Sequence, residues 1–264
     1  MRLKNKVAIV TGAGSGIGQA TAVLFAEEGA RVVVADIDSA GGEKTISAIR
    51  EQGGQAIFVQ TDISKDDEAK KIADEAVGAF GQINILVNDA AVFVLKGLEA
   101  TVEDWQRSLG VNVIGTALCT KYAVEPMKKA GGGAVVLLGS ISSFIAQPNF
   151  ITYSATKGAL LQMTRNMAMD LAPFNIRVNC VCPGVTLTPA SYRHMAQTGM
   201  TLEQFEAEVG GASLLKRVAD PRISSFKRAL TNSTCPGATM SQLARPSSKV
   251  ATMLCRTDRG WGWS

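Results

Sequence analysis

Residues 11–18 read TGAGSGIG and lie between the apolar segment KVAIVT, residues 6–11, and a segment whose apolar residues recur at helical spacing. This order of apolar strand, glycine-rich turn and helix predicts the first βα unit of a nucleotide-binding sheet. The glycines follow the pattern G-x-x-x-G-x-G at Gly12, Gly16 and Gly18 rather than G-x-G-x-x-G. They let a phosphate approach the backbone, and the first N–H groups of the helix face that phosphate. A glycine-rich turn that binds nothing is the alternative interpretation.

The alternation of apolar strands and amphipathic helices continues through most of the chain. A continuous apolar run of strand length is typical of a parallel sheet that helices cover on both faces. We therefore expect a single α/β domain with a doubly wound parallel sheet of six or seven strands and helices on both faces. The predicted strands are residues 6–11, 31–36, 55–60, 83–88, 134–139 and 176–181, and two long helices are expected at about 103–127 and 152–171.

Two later segments depart from this alternation. Residues 183–208 read as a loop with two short helices. An excursion of this length in a compact domain is often an active-site lid, which we expect from about Val185 to about Glu208. The end of the chain shows no further apolar run of strand length. We therefore divide the chain into a nucleotide-binding domain, residues 1–221, and an atypical basic tail, residues 222–264.

The charge distribution marks the same boundary. Residues 220–264 hold 7 Lys and Arg against 2 Asp and Glu, whereas residues 1–219 hold 20 against 21. Such an abrupt change resembles translation in a shifted reading frame or a divergent terminus. We expect residues from about 223 to 259 to be less well ordered than the body, and the sheet edge beside the sixth strand to be exposed. The charges of the tail are dispersed and its aromatic residues are few, which argues against nucleic-acid binding.

The composition excludes several classes of protein. Hydrophobic residues make up 46% and charged residues 19% of the chain, which is typical of a globular protein. No apolar run approaches the ~20 residues that cross a bilayer and no signal-type segment opens the sequence, so we expect a cytoplasmic protein. The five cysteines are scattered and His194 is the only histidine. We therefore expect reduced thiols and no metal site.

A carboxylate closes the second predicted strand. Asp36 follows Gly18 by 18 residues, about where an acidic side chain accepts hydrogen bonds from the adenosine ribose of a dinucleotide. A 2′-phosphate at this place would be repelled, and the next residues are Ile37, Asp38 and Ser39 rather than Arg or Lys. The pattern therefore favours NAD over NADP. A solvated Asp at a strand end is the alternative.

Tyr153 and Lys157 are four residues apart and therefore share one face of the helix predicted at 152–171. A phenol has an ordinary pKa of ~10, and a nearby ammonium group favours its ionised form. The pair is thus suited to proton transfer near neutral pH. By itself the spacing is a weak signal, because it arises by chance in many chains.

Together with several other motifs, these residues resemble the short-chain dehydrogenase/reductase family over residues 4 to about 221. Order and spacing carry the resemblance, and no single motif decides it. The resemblance implies a Rossmann-type fold and an NAD(H)-dependent oxidoreductase that transfers hydride between the nicotinamide and a secondary alcohol or ketone. The matching positions are Thr11, Gly12, Gly16, Gly18, Asp62, Asn88, Asp89, Ala90, Ala91, Ser140, Tyr153, Lys157, Pro183, Gly184 and Thr188.

The resemblance also implies catalytic roles. Tyr153 would be the general acid and base, and Lys157 would lower the pKa of that phenol and bind the nicotinamide ribose. Ser140, which lies 13 residues before Tyr153, would hydrogen-bond the reacting oxygen. Asn112 would hold a water molecule of the proton relay.

The cofactor contacts that the resemblance implies come from several strand ends. Asp62 and Ile63 would flank the adenine, Asn88 and Ala90 would line the cofactor, and Thr188 would meet the nicotinamide amide. In related proteins the last strand helps subunits pack, so a homodimer or homotetramer is expected, weakened by the atypical tail. The remaining cofactor-binding positions are Gly12, Ser15, Gly16, Ile17, Gly18, Asp36, Tyr153, Lys157, Pro183 and Gly184.

Two positions depart from the family pattern. The family usually has Asn where this chain has Asp89, and an acidic residue or Asn is common where it has Gly110. These departures and the tail motivate an alternative, a nucleotide-binding regulatory or scaffold protein that has lost turnover. The sequence leaves the substrate open among sugars, cyclic alcohols, steroid-like alcohols and 3-oxoacyl compounds.

Overall fold

The computed structural model describes residues 1–210, 218–222 and 253–255. Its strands are β1 Val7–Thr11, β2 Arg31–Asp36, β3 Gln55–Gln60, β4 Ile85–Asn88, β5 Gly133–Leu138, β6 Ile176–Cys182 and β7 Met253–Cys255. They form one sheet in the order β3-β2-β1-β4-β5-β6-β7. The first six strands are parallel, and β7 pairs antiparallel with β6.

Helices connect the parallel strands. Between the helices at Val102–Leu109 and Thr116–Lys129 the backbone widens into a π-helical turn at Gly110–Gly115, so the stretch predicted at 103–127 is helical throughout but not uniform. No described helix is both long and apolar enough to cross a membrane. The helices are α1 Gly16–Glu27, α2 Ser39–Glu51, α3 Asp66–Phe80, α4 Val102–Leu109, α5 Thr116–Lys129, α6 Ile151–Leu171, α7 Pro189–Thr198 and α8 Leu202–Phe205.

Alternate strand residues point into two cores, one on each face of the sheet. Val33 and Leu86 pack among residues of α3, α5 and α6. Val34 and Val136 pack among residues of α1 and α2 on the opposite face. Both faces of each central strand are therefore removed from water, which is why the strands read as continuous apolar runs. The predicted fold, with helices on both faces of a parallel sheet, is confirmed.

A crevice forms where the strand order reverses, between β1 and β4. Thr11 and Asn88, the last residues of these strands, are direct register partners. The Thr11 hydroxyl accepts the N–H groups of Asp89 and Ala90, both at 3.2 Å. In open α/β sheets ligands bind at such a reversal, outside the carboxyl ends of the strands. The fold thus brings the glycine-rich turn and the residues after β4 to one edge.

The sheet edge beside β6 differs from the prediction. Cys180, Val181 and Cys182 pair with residues 253–255, so the expectation of an exposed edge is wrong at these positions. Strand pairing uses main-chain donors and acceptors, and it therefore does not require the sequence that the family usually has there. The prediction of lower order over 223–259 otherwise falls outside the described residues. The domain boundary and the weakened oligomer stay predictions.

Candidate active site

The glycine-rich turn is shaped for close approach of a ligand to the backbone. Gly12 and Gly16 have φ of +67° and +58°, a conformation that favours glycine. A Cβ on Gly12 would lie 2.7 Å from the Cα of Ala90, and one on Gly18 would lie 2.2 Å from the carbonyl oxygen of Gly12. Side chains are therefore excluded at Gly12 and Gly18. The residues fit the pyrophosphate of a dinucleotide, because the N-terminal N–H groups of α1 open onto the same space.

Asp36 is held beside this turn at the end of β2. Its Oδ2 accepts the N–H of Gly14 at 2.7 Å, and its Oδ1 accepts the N–H of Asp38 at 2.9 Å. A carboxylate oxygen has two lone pairs, so each oxygen can accept one further hydrogen bond. The carboxylate is thus fixed where a ribose diol could donate to it, and the neighbouring Ile37 side chain is exposed.

The end of β4 supplies the floor of the crevice. The Asn88 amide donates to the Thr120 hydroxyl on α5 at 3.1 Å. Its Oδ1 is buried and has no hydrogen-bond partner among the described residues. Buried acceptors are normally satisfied, so this oxygen is suited to a donor from a bound molecule.

The predicted catalytic hydroxyls lie at the C-terminal end of β5 and at the N-terminal end of α6. Ser140 follows β5, and its side chain acts to lower the pKa of the Tyr153 phenol. The Ser140 hydroxyl also accepts the N–H of Ser142 at 3.1 Å, which fixes its rotamer. Tyr153 lies in the first turn of α6 and is 7% exposed. A serine and a tyrosine hydroxyl therefore converge on one place that a substrate oxygen can reach.

The environment of Tyr153 differs in one respect from the sequence-based expectation. Burial raises the pKa of its phenol to about 12, the Ser140 hydrogen bond opposes this rise, and the charge of Asp89 adds to it. The resemblance implied a pKa lowered by Lys157. The Lys157 ammonium instead donates to the carbonyl of Leu138 at 2.6 Å and lies 5.6 Å from the centroid of the Tyr153 ring.

Lys157 is itself almost fully buried, with 4% of its surface exposed. Burial lowers the pKa of its ammonium, and the charge of Asp89 acts in the opposite direction. One hydrogen bond to Leu138 leaves two ammonium hydrogens for other acceptors. Lys157 can therefore hydrogen-bond a ribose hydroxyl while it stays next to the phenol.

Asn112 lies in the π-helical turn and ties two parts of the site together. Its Oδ1 accepts the N–H of Val92 at 2.8 Å, and its Nδ2 donates to the Val92 carbonyl at 3.0 Å and to the Thr156 hydroxyl at 3.1 Å. Both amide hydrogens are thus used within the protein. The side chain positions the loop after β4 against α6, and its role toward a relay water stays a prediction.

Two phenylalanines that the sequence did not single out surround the phenol. The Phe93 ring stacks on Tyr153 at a centroid distance of 5.2 Å, and Phe150 meets Tyr153 edge-on at 6.0 Å. Phe93 remains 58% exposed. The approach to the catalytic hydroxyls is therefore apolar and aromatic. No spacing rule connects these residues, because they lie on separate loops that only the fold brings together.

The segment predicted as a lid begins beside the glycine-rich turn. It contains α7 and α8, and Val185 and Leu187 hydrogen-bond the main chain of Ala219, each at 2.9 Å. Thr188 precedes α7, and its Cγ2 lies 3.5 Å from where a Cβ on Gly16 would be. His194 is exposed and faces Phe205, not Tyr153. The structure thus places Thr188 beside Gly16 and His194 beside Phe205, and the role of Thr188 toward the nicotinamide stays a prediction.

The other predicted cofactor-binding residues make contacts within the protein that differ from one residue to the next. Asp62 uses its Oδ1 within its own turn, accepting the N–H and the hydroxyl of Ser64 at 3.0 and 2.7 Å. Ile63 is buried in the core against Gly115. The Pro183 carbonyl accepts the N–H of Ile141 at 3.0 Å. Their roles toward adenine and nicotinamide stay predictions. Among the described residues, no three His, Cys, Asp or Glu side chains come together as a metal site.

Comparisons with known proteins identify the family of this chain. Residues 6–198 match the family described as short chain dehydrogenase. An uncharacterized oxidoreductase of Thermotoga maritima is 45% identical over 187 residues, 70% of this chain and 74% of that protein. Cyclopentanol dehydrogenase of Comamonas sp. is 37% identical over 221 residues, 83% of this chain and 86% of that protein.

A solved structure is also similar. It is a 7α-hydroxysteroid dehydrogenase complexed with NADH and 7-oxo glycochenodeoxycholic acid. The two chains superimpose with a TM-score of 0.79 at 33% sequence identity, over 86% of this chain and 87% of the other.

Proposed function

The chain belongs to the short-chain dehydrogenase family, and from this premise we propose that it is an NAD(H)-dependent oxidoreductase acting on a secondary alcohol or its ketone. One observation carries the proposal. The side chain of Ser140 acts to lower the pKa of the Tyr153 phenol, and the Lys157 ammonium lies 5.6 Å from the centre of the Tyr153 ring, at the sheet edge that also holds the glycine-rich turn. A proton-transfer group and a dinucleotide site therefore adjoin one another.

Several residues along this edge of the sheet are suited to hold a dinucleotide. The turn at Gly12, Gly16 and Gly18 would hold the pyrophosphate, and Asp36 would accept from the adenosine ribose. Lys157 would hold the second ribose through its remaining donors. When bound, the nicotinamide supplies the site that gains or loses hydride.

The protein's part in alcohol oxidation is positioning and proton transfer. Ser140 donates a hydrogen bond to the substrate oxygen and orients it toward the phenol. Tyr153, ionised, takes the hydroxyl proton as the carbon–hydrogen bond breaks, and in ketone reduction it returns that proton. Lys157, whose ammonium lies 5.6 Å from the centre of the Tyr153 ring, would stabilise the phenolate as it forms and so oppose the effect of burial.

We propose an alicyclic alcohol or ketone as the substrate. Phe93 and Phe150 give the phenol an apolar aromatic surround, which suits a hydrocarbon ring better than a polyol. Two similar proteins support this choice, because cyclopentanol and the 7-oxo steroid both carry the reacting oxygen on a saturated ring.

A screen of alcohols tests the proposal. Purified protein is mixed with NAD and with cyclopentanol, cyclohexanol, a hydroxysteroid or sorbitol, and NADH formation is followed by absorbance. We expect turnover with the alicyclic alcohols and little with sorbitol. Turnover with sorbitol alone would contradict the substrate class. Nucleotide binding without turnover of any alcohol or ketone would favour the regulatory or scaffold alternative.

Phe93→Ala should weaken the use of ring substrates. Its ring covers one side of the approach to Tyr153, so its loss removes apolar contact from the bound alcohol. We expect KM for cyclopentanol to rise by about tenfold, the effect of losing ~1.4 kcal/mol of apolar contact, with a smaller rise for 2-propanol. Phe174→Ala, at an exposed ring beside Lys128, is the matched control. Equal changes for both alcohols would contradict a role for Phe93 in substrate choice.

Alcohol oxidation should accelerate with rising pH. The reaction needs the ionised phenol, and with a pKa of about 12 only a small fraction of Tyr153 is ionised near neutrality. That fraction grows about tenfold per pH unit below the pKa. At saturating cofactor we expect kcat for oxidation to rise from about pH 7 to about pH 10, while ketone reduction stays level because the phenol remains protonated. An oxidation rate independent of pH would contradict Tyr153 as the base.

A further inference from the structure

Asp89, directly after β4, reaches the first turn of α1. Its Oδ2 lies 2.8 Å from where a Cβ on Gly18 would be, and the backbone N–H of Gly18 acts to lower the pKa of its carboxyl. Ser15, the residue that precedes α1, makes no side-chain hydrogen bond to the helix. The Asp89 carboxylate, which follows β4, thus lies near the N-terminal end of α1, where Ser15 provides no side-chain cap.

The main chain holds Asp89 in this orientation. Its N–H donates to the Thr11 hydroxyl at 3.2 Å, which also accepts the N–H of Ala90. Thr11 is fully buried at the end of β1. The backbone at Asp89 is therefore anchored to the end of β1, from which the glycine-rich turn begins.

Charged and titratable groups face Asp89 from three elements of the described chain. From α6, Lys157 attracts the carboxylate, and the Tyr153 phenol responds to its charge. From β2, Asp36 repels it, and from α1 the Gly18 N–H favours its ionised form. Asp89 therefore couples electrostatically to the proposed catalytic lysine, the ribose-binding carboxylate and the pyrophosphate site.

We propose that Asp89 is a positioning residue that makes cofactor binding depend on pH. Ionised, it places a negative charge beside the first turn of α1, next to the proposed pyrophosphate site; protonated, it removes the repulsion that this charge exerts on the dinucleotide. The inference rests on the proposed function, because it concerns the same cofactor site.

The Asp89 carboxyl changes its charge near neutral pH. Burial raises the pKa of its carboxyl to about 7, and the charge of Lys157 and the Gly18 N–H only partly oppose the rise. A group with a raised acid pKa is protonated below that pH and ionised above it. An anion bound beside it raises the pKa further, so binding near pH 7 takes up a proton. Affinity for the dinucleotide should therefore fall as the pH rises.

The test measures the dissociation constant of NADH by its fluorescence between about pH 6 and about pH 8.5. In the unaltered protein we expect affinity to fall by about tenfold over this range. Asp89→Asn keeps an oxygen that can accept the Gly18 N–H but has no charge to gain, so its affinity should be nearly constant and higher at alkaline pH. Asp74→Asn, which removes an exposed carboxylate paired with Lys70 on α3, should keep the original profile.

Calorimetry on the unaltered protein gives a second readout that needs no folded variant. NADH binding at about pH 7 in two buffers of different ionisation enthalpy should reveal proton uptake. The proposal is overturned if no proton is taken up on binding. It is also overturned if Asp89→Asn keeps the original pH dependence, because a residue with a merely structural role would leave that dependence unchanged. Absence of NADH binding at every pH would instead contradict the proposed function itself, and this inference with it.

Discussion

Tyr153→Phe should lower turnover by about 10²-fold or more while leaving NADH binding nearly unchanged. The substitution removes only the hydroxyl that Ser140 contacts, and the phenyl ring keeps its packing against Phe93 and Phe150. The substitution therefore removes the proton-accepting group and leaves no large cavity in its place. The measurements are kcat for cyclopentanol oxidation and the dissociation constant of NADH.

Tyr122→Phe is the matched control for this loss. The Tyr122 hydroxyl also hydrogen-bonds, but to Asp66 at 2.6 Å on an exposed face of α5, and its removal should leave turnover unchanged. Lys157→Met should differ from both, because it weakens the stabilisation of the phenolate and the hold on the ribose together. Tyr153→Phe with full activity would remove Tyr153 as the proton-transfer group.

Cofactor preference should be strong, and two neighbouring residues should reverse it. We expect NAD to be used at least about 10²-fold better than NADP, because a 2′-phosphate beside Asp36 is repelled and displaces a hydrogen-bonded ribose hydroxyl. Asp36→Ala combined with Ile37→Arg should shift the preference toward NADP, since the exposed position 37 can present a guanidinium to the phosphate. The measurement is kcat/KM with each cofactor.

The single variants separate the two causes. Ile37→Arg alone keeps the carboxylate and should still favour NAD. Asp36→Ala alone also removes the acceptor for the Gly14 and Asp38 N–H groups, so it should weaken both cofactors through the turn. Equal catalytic efficiency of the unaltered protein with NAD and NADP would show that Asp36 does not set the choice.

The sheet and much of the site were predictable because they depend on local sequence. Strands such as Arg31–Asp36 are buried on both faces, and their uninterrupted apolar residues report that burial directly. Asp36, Asn88 and Ser140 lie at or just after strand ends, and parallel strands bring those ends to one edge. Sequence position alone therefore groups them.

Contacts between separate loops could not be predicted in this way. Phe93 and Phe150 meet Tyr153, and the Asp89 carboxylate meets Gly18, through tertiary packing that no spacing records. The raised pKa of Tyr153 likewise depends on how completely the fold buries the phenol. The pairing of residues 253–255 with β6 depends on main-chain hydrogen bonds rather than on side-chain pattern.

Hydride transfer itself is tested most directly by isotope. Cyclopentanol carrying deuterium on its carbinol carbon is incubated with NAD and the protein, and the NADH formed is examined by mass spectrometry. The proposed function predicts that NADH forms and carries one deuterium, and that Tyr153→Phe slows its formation without changing where the label goes. NADH without deuterium, or no NADH from any alicyclic secondary alcohol, would contradict direct transfer between such a substrate and the nicotinamide at this site.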